Sequence, residues 1–126
     1  MASIIDTVNL YLYEGSAYVH QMPIYAEDGT PVTLVGYAAK MQIRDRPDES
    51  GTLYHEATTA NGELIIDPSG ANSGLETAAV TMNLPGSLSI NTFSQAFYDL
   101  FLIASDGAAY AVARGQASIQ PRTTII

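Results

Sequence analysis

Residues 97–119 read FYDLFLIASDGAAYAVARGQASI, and the rest of the chain is organised around this stretch. In its first half Tyr98, Leu100 and Leu102 fall on one side of an extended backbone, with Phe97, Asp99, Phe101 and Ile103 on the other, because successive strand side chains alternate. Ser105-Asp106-Gly107 is a turn signal that sends the second run back along the first, so the whole reads as a β-hairpin. Both faces of the first run are largely apolar. A strand with one wet face would not have that pattern, so this one is either central with cover on both sides or has its second face reserved for a partner.

Alternation of period two recurs on both sides of the hairpin. In Ile4 to Tyr13, Val8, Leu10 and Leu12 face one way and Asn9, Tyr11 and Tyr13 the other, and the tyrosines are expected to cover cross-strand neighbours. Ala17 to Tyr25 is β-prone but contains Pro23, which cannot donate to a ladder and marks an edge or an end. After the Asp28-Gly29-Thr30-Pro31 turn, Tyr37 to Arg44 places Ala39, Met41 and Ile43 inward and Lys40, Gln42 and Arg44 outward. Leu53–Ala57 and Glu63–Asp67 flank a hairpin signal at Asn61-Gly62, with Leu64 and Ile66 as the inward pair. The stretch 68–74 reads as a flexible connection. Ala78, Val80, Met82 and Leu84 form one face of the next strand before Pro85-Gly86 breaks it. Ser87 to Phe93 is the one place where a short helical turn fits, and Pro121 ends the last strand. These runs predict an antiparallel β-sandwich of about seven or eight strands in a single domain over 1–126, with extended arms at about 1–7 and 121–126. A small closed barrel shares the same patterning.

Composition narrows the function classes. The chain has 47% hydrophobic and 14% charged residues in 126 positions, enough apolar material for one core and not the profile of a disordered chain. With no cysteine there is no disulfide framework or thiolate metal site, and a reducing compartment suits it. A net charge of −8 with a single lysine, Lys40, argues against a surface that tracks nucleic-acid phosphates. No apolar run approaches the roughly 20 residues of a membrane span, and Met1 to Leu12 lacks the basic start of a signal peptide. A soluble protein that engages neither nucleic acid nor membrane is expected.

No reaction chemistry emerges from the motifs. There is no G-x-S-x-G elbow, phosphate-cradling glycine loop or H-E-x-x-H cluster. His20 and His55 sit in separate runs, where a packed or surface role outweighs metal ligation. Asp45, Asp48 and Glu49 share the loop RDRPDESG, but it lacks the alternating acidic pattern and central glycine of a calcium loop and reads as solvated. Asp28 and Asp106 belong to D-G turns. No catalytic residue, metal or cofactor is assigned.

The series DGTPVTLVGY (28–37), AKMQIR (39–44), Tyr98-Asp99-Leu100, Ser105-Asp106-Gly107, Arg114-Gly115 and Pro121-Arg122-Thr123 resembles, in order and spacing, a family of small tailed-bacteriophage structural proteins. It is similar to the immunoglobulin-like N-terminal domain of phage baseplate upper proteins, from about Ala17 onward. Val35 stands where that pattern has threonine and Phe101 where it has a polar residue, which makes the outer face of the hairpin strand stickier. The resemblance implies an immunoglobulin-like sandwich and a non-enzymatic virion component. It would be made in the host cytoplasm and dock in multiple copies at the head, the neck and tail junction or a fibre attachment site. Its partners would be other copies of itself and other virion proteins. Phe97, Phe101 and Ile103, with Ile4, Ile5, Ile125 and Ile126 at the chain ends, are apolar side chains in excess of one small core and form the expected partner interface. The alternative is a small carbohydrate-binding sandwich using Tyr11, Tyr13 and Tyr25 as a platform, a reading weakened by the absence of tryptophan.

Overall fold

The computed structural model describes residues 6–86 and 95–121. They form nine strands: β1 (Asp6–Thr7), β2 (Leu10–Tyr13), β3 (Tyr18–Pro23), β4 (Ala38–Arg44), β5 (Leu53–Thr58), β6 (Leu64–Asp67), β7 (Ala79–Leu84), β8 (Gln95–Ile103) and β9 (Ala109–Gln120). One sheet runs β1-β9-β8-β4-β5, with β2 also on β9, and the other runs β3-β7-β6. The strand order β9-β8-β4-β5 over β3-β7-β6 is that of strands G-F-C-C′ over B-E-D in a variable-type immunoglobulin sandwich. The fold is therefore an immunoglobulin-like β-sandwich rather than a barrel. With no cysteine, it lacks the inter-sheet disulfide of antibody domains and is held by apolar packing.

The alternation read from the sequence sets the core. Tyr98, Leu100 and Leu102 from β8 and Ala39, Met41 and Ile43 from β4 meet Val80, Met82 and Leu84 from β7, all buried in one cluster with Leu10, Leu12 and Leu64. The hairpin forms as expected, with Ala104 N–H donating to the Ala108 carbonyl around Gly107 at φ +90°. Gly29 and Gly62 also have the positive φ expected of them, at +84° and +81°. Pro23 is the last residue of β3, an edge strand, and β9 stops immediately before Pro121.

Three local expectations are corrected. First, Asn61-Gly62 does not close a hairpin: β5 belongs to the six-stranded sheet and β6 to the three-stranded one, so the turn carries the chain across the sandwich. His55 Nε2 and Glu63 Oε1, 2.5 Å apart, tie the two sides of that crossing. Second, the N-terminal strand is interrupted at Val8-Asn9 and runs parallel to β9, against the antiparallel expectation. Gly115 allows this. A Cβ there would lie 2.3 Å from the Val8 carbonyl oxygen, which instead accepts a 2.5 Å hydrogen bond from the Tyr98 hydroxyl. Third, the 68–74 connection is built rather than loose, with a 3-10 turn at Ala71–Ser73. Asp67 accepts from Gly70 N–H and the Ser73 hydroxyl, and the latter bond holds its carboxyl below the ordinary range. The short helix expected over Ser87 to Phe93 lies outside the described residues.

The Tyr98 bond is testable. Burial pushes the phenol above its ordinary pKa, so at neutral pH it is a donor. Tyr98→Phe removes that donor from the Val8 carbonyl and should lower stability by about 1 kcal/mol, with amide exchange quickening at Val8 and Gln116, which bond across the break between β1 and β2 alongside β9. Unchanged stability and exchange in denaturation and hydrogen-exchange measurements would remove the bond from the account of how the N-terminal strand is held.

Candidate interaction face

β8 is a central strand, flanked by β4 and β9. Its inner residues fill the core, so its odd-numbered residues must point away from the second sheet. Phe97, Phe101 and Ile103 do so and are half-buried, with Asp99 exposed between the two rings. Their cross-strand neighbours explain the partial burial. Phe101 pairs with Lys40 on β4 and Ala111 on β9, and Ile103 with Ala38 and Ala109. A register shift at Leu100/Phe101 brings small alanines beside the large side chains, so the face is hollow on its β9 side. The result is an open concavity of about 980 Å³ with Phe97, Phe101 and Ile103 on its floor.

Charge surrounds that apolar floor. Lys40, Gln42 and Arg44 project from β4, Arg114 and Gln116 from β9, and Arg46, Asp48 and Glu49 overhang from the β4–β5 turn. Arg44 is held in place, donating to the Gly51 carbonyl at 2.8 Å and to Gln42 Oε1 at 2.8 Å. Lys40 pairs with Glu56 at 3.2 Å in water-exposed geometry, a contact that contributes little stability. Partial burial raises the Asp99 pKa, and the Arg44 charge acts against that shift. Asp48 is occupied within its own turn: it accepts from the Ser50 hydroxyl and from Ser50 N–H, and the hydroxyl bond lowers its pKa. Asp45 accepts from Thr52 N–H at 2.7 Å. These two carboxylates of the loop thus serve as turn caps.

Among the described residues no three His, Cys, Asp or Glu side chains gather as a metal site. His20 stacks on Tyr18 in β3, while His55 meets Glu63, so the two histidines have separate settings. No family model and no curated protein matches the chain. Solved structures similar to it include extracellular domains 3–5 of Drosophila OTK. That match has 10% identity and a TM-score of 0.35, and covers 94% of this chain and 34% of the other. The chain thus spans about a third of the length of that three-domain solved chain, and a likeness so distant carries no argument about function.

The other expected contact residues divide. Ile4, Ile5, Ile125 and Ile126 lie outside the described residues. Tyr11 and Tyr13 are 66% and 54% exposed on the outer side of β2, opposite Ser118 and Gln120, so they do not bury themselves against large cross-strand neighbours. Tyr25 is not with them. It bridges to Pro31 and lies by Val112, roughly 20 Å along β9 from Ser118 at the usual strand rise, so the three tyrosines form no single platform. The sequence reading named the apolar floor but missed Arg114 as part of the same face. Its only signal was the outward parity of β9, which has meaning only once the Asp99–Arg114 register is known.

Proposed function

We propose that this chain is a non-enzymatic structural protein of a tailed-bacteriophage virion that docks in multiple copies through the outer face of β8. The observation that carries the contact surface is the hollow floor of Phe97, Phe101 and Ile103, large apolar side chains on a central strand that are not packed into the core. The virion context comes from the motif series between Asp28 and Thr123, together with a composition that offers no catalytic, cofactor or phosphate-binding constellation. Head, neck and tail junction, and fibre attachment site are all places where a small sandwich could dock, with production in the host cytoplasm.

Phe101→Glu tests the reading. The side chain faces away from the core, so the variant should fold with stability near that of the parent, as expected when a position is outside the packed interior. In a mass-spectrometric inventory of purified particles the parent chain should be found in multiple copies and the variant should be depleted. Unfolding of the variant would place Phe101 in the core, and absence of the parent from particles would end the virion reading. The carbohydrate-binding alternative retains only Tyr11 and Tyr13, and glycan binding by the isolated protein that disappears on replacing both with alanine would favour it.

A further inference from the structure

Asn61-Gly62, where the chain crosses between the two sheets, is also the one asparagine-glycine step in the sequence. An asparagine amide is thermolabile because the next backbone nitrogen can attack its Cγ. Glycine favours that attack: with no Cβ it shields its nitrogen least and leaves the backbone freest to bring it round. Both residues are exposed, so solvent reaches the site.

The fold holds this amide from both sides of the crossing. Asn61 Oδ1 accepts from Thr58 N–H at 3.1 Å and from Glu63 N–H at 3.0 Å, while Nδ2 donates to the Glu56 carbonyl at 3.1 Å. Two N–H donors converging on one atom identify it as the oxygen. Glu56 and Thr58 belong to β5, whereas Glu63 directly precedes β6 and is itself fixed by Asn83 N–H, which donates to its carbonyl at 2.8 Å. Asn61 N–H is held too, donating to the Thr58 hydroxyl at 3.0 Å. The attacking atom is held less firmly. Gly62 N–H donates to the Thr59 carbonyl at 3.4 Å, against 2.9 Å for the corresponding bonds of Gly29 and Gly107. Protection of the site therefore rests on the three bonds that keep the Asn61 side chain from turning toward that nitrogen.

We infer that Asn61-Gly62 is a latent self-modification site, a deamidation site that the folded crossing keeps shut and that local opening of the crossing releases. In the released chain the Gly62 nitrogen bonds to Asn61 Cγ and gives up its proton. The Cγ–Nδ2 bond breaks, and Nδ2 leaves with that proton as ammonia. Water then adds to one of the two carbonyl carbons of the resulting succinimide and breaks its bond to the Gly62 nitrogen. Opening at Cγ gives aspartate, and opening at the main-chain carbonyl gives isoaspartate; nothing is oxidised or reduced. Neither product has the Nδ2 donor for the Glu56 carbonyl, and aspartate sets an anionic oxygen against it. Isoaspartate also lengthens the main chain by a methylene. The crossing cannot reseal in its original geometry, so the conversion marks irreversibly the chains whose two sheets have parted there.

The test is incubation of the full chain in mildly alkaline buffer, with and without urea, followed by mass-spectrometric peptide mapping for aspartate and isoaspartate at residue 61. In urea Asn61 should convert ahead of the other asparagines. In the folded chain it should convert about tenfold or more slowly, because reaction then waits on local opening. Thr58→Ala deletes the acceptor of Asn61 N–H at a half-buried position, so it should fold, as a thermal melt checks, and convert severalfold faster than the folded parent. Hydrogen exchange on the parent gives an answer that needs no variant. The Thr58 and Glu63 amides, both held by Asn61 Oδ1, should be protected to an extent that matches the slowing of deamidation. Equal conversion in the folded and unfolded chain, no conversion at Asn61 in urea, a folded Thr58→Ala that converts no faster than the parent, or an unprotected pair of amides would each overturn the inference.

Discussion

Replacing Gly70 with alanine is expected to cost about 3 to 5 kcal/mol, combining strain at a left-handed residue with loss of buried hydrogen bonds. Gly70 has φ +82° and is buried. An added Cβ would sit 2.1 Å from the Thr77 carbonyl oxygen and 2.7 Å from that of Leu75, so backbone has to move. Backbone displacement there propagates, because the Thr77 hydroxyl is bonded to Val32 N–H and the Ile24 carbonyl and so anchors the β3–β4 connection to the second sheet. Gly29 and Gly107 supply the control. They have φ +84° and +90°, and nothing lies within 4 Å of the Cβ each would gain. Their alanine variants should lose only the conformational part, about 1 to 2 kcal/mol. Thermal melts of the three variants check this, and equal losses at all three would show that crowding at Gly70 is relieved without cost.

Leu100→Ala should lower stability by about 2 to 5 kcal/mol, the range for deleting a buried leucine side chain and leaving a cavity. Leu100 is fully buried on β8 between Met41 on β4 and Ala113 on β9, with the inner face of the second sheet above it. Neither flanking strand can close in, since each is fixed by its own ladder, so the site is expected to collapse little and the loss to fall in the upper part of that range. Urea denaturation should show a lower midpoint with an unchanged slope. A shift no larger than that of a surface substitution would mean that Leu100 does not occupy the core. The neighbouring Phe101 makes the contrast direct: one residue further along the same strand, a larger side chain should be replaceable by glutamate with little loss of fold.

What could be read from residue order was whatever depends on one strand at a time. The two-residue period of Tyr98, Leu100 and Leu102, of Met41 and Ile43, and of Val80, Met82 and Leu84 identified the core face of each strand, because a strand can bury only alternate side chains. Positive φ at Gly29, Gly62 and Gly107 followed from turn chemistry in the same local way. So did the apolar floor of the candidate face, since Phe97, Phe101 and Ile103 are on the opposite parity from the buried residues of β8.

Tertiary structure alone decided which strands became neighbours. Asn61-Gly62 specifies a backbone turn but not its partners, and β5 and β6 separate into different sheets because each buries its apolar residues against a different set of strands. The parallel seat of β1 and β2 on β9 joins positions 107 apart, as in Asp6 with Ala113 and Leu10 with Ala117. It depends on the bare backbone of Gly115 and the reach of the Tyr98 hydroxyl. Thr77 became a buried clamp only because two connections meet at its hydroxyl. The gathering of Lys40, Arg44, Arg46 and Arg114 on one face likewise required the register of β4 on β8 and of β8 on β9. Parity along a strand is a property of the local chain, whereas register and sheet membership are set by the packing of distant residues against one another.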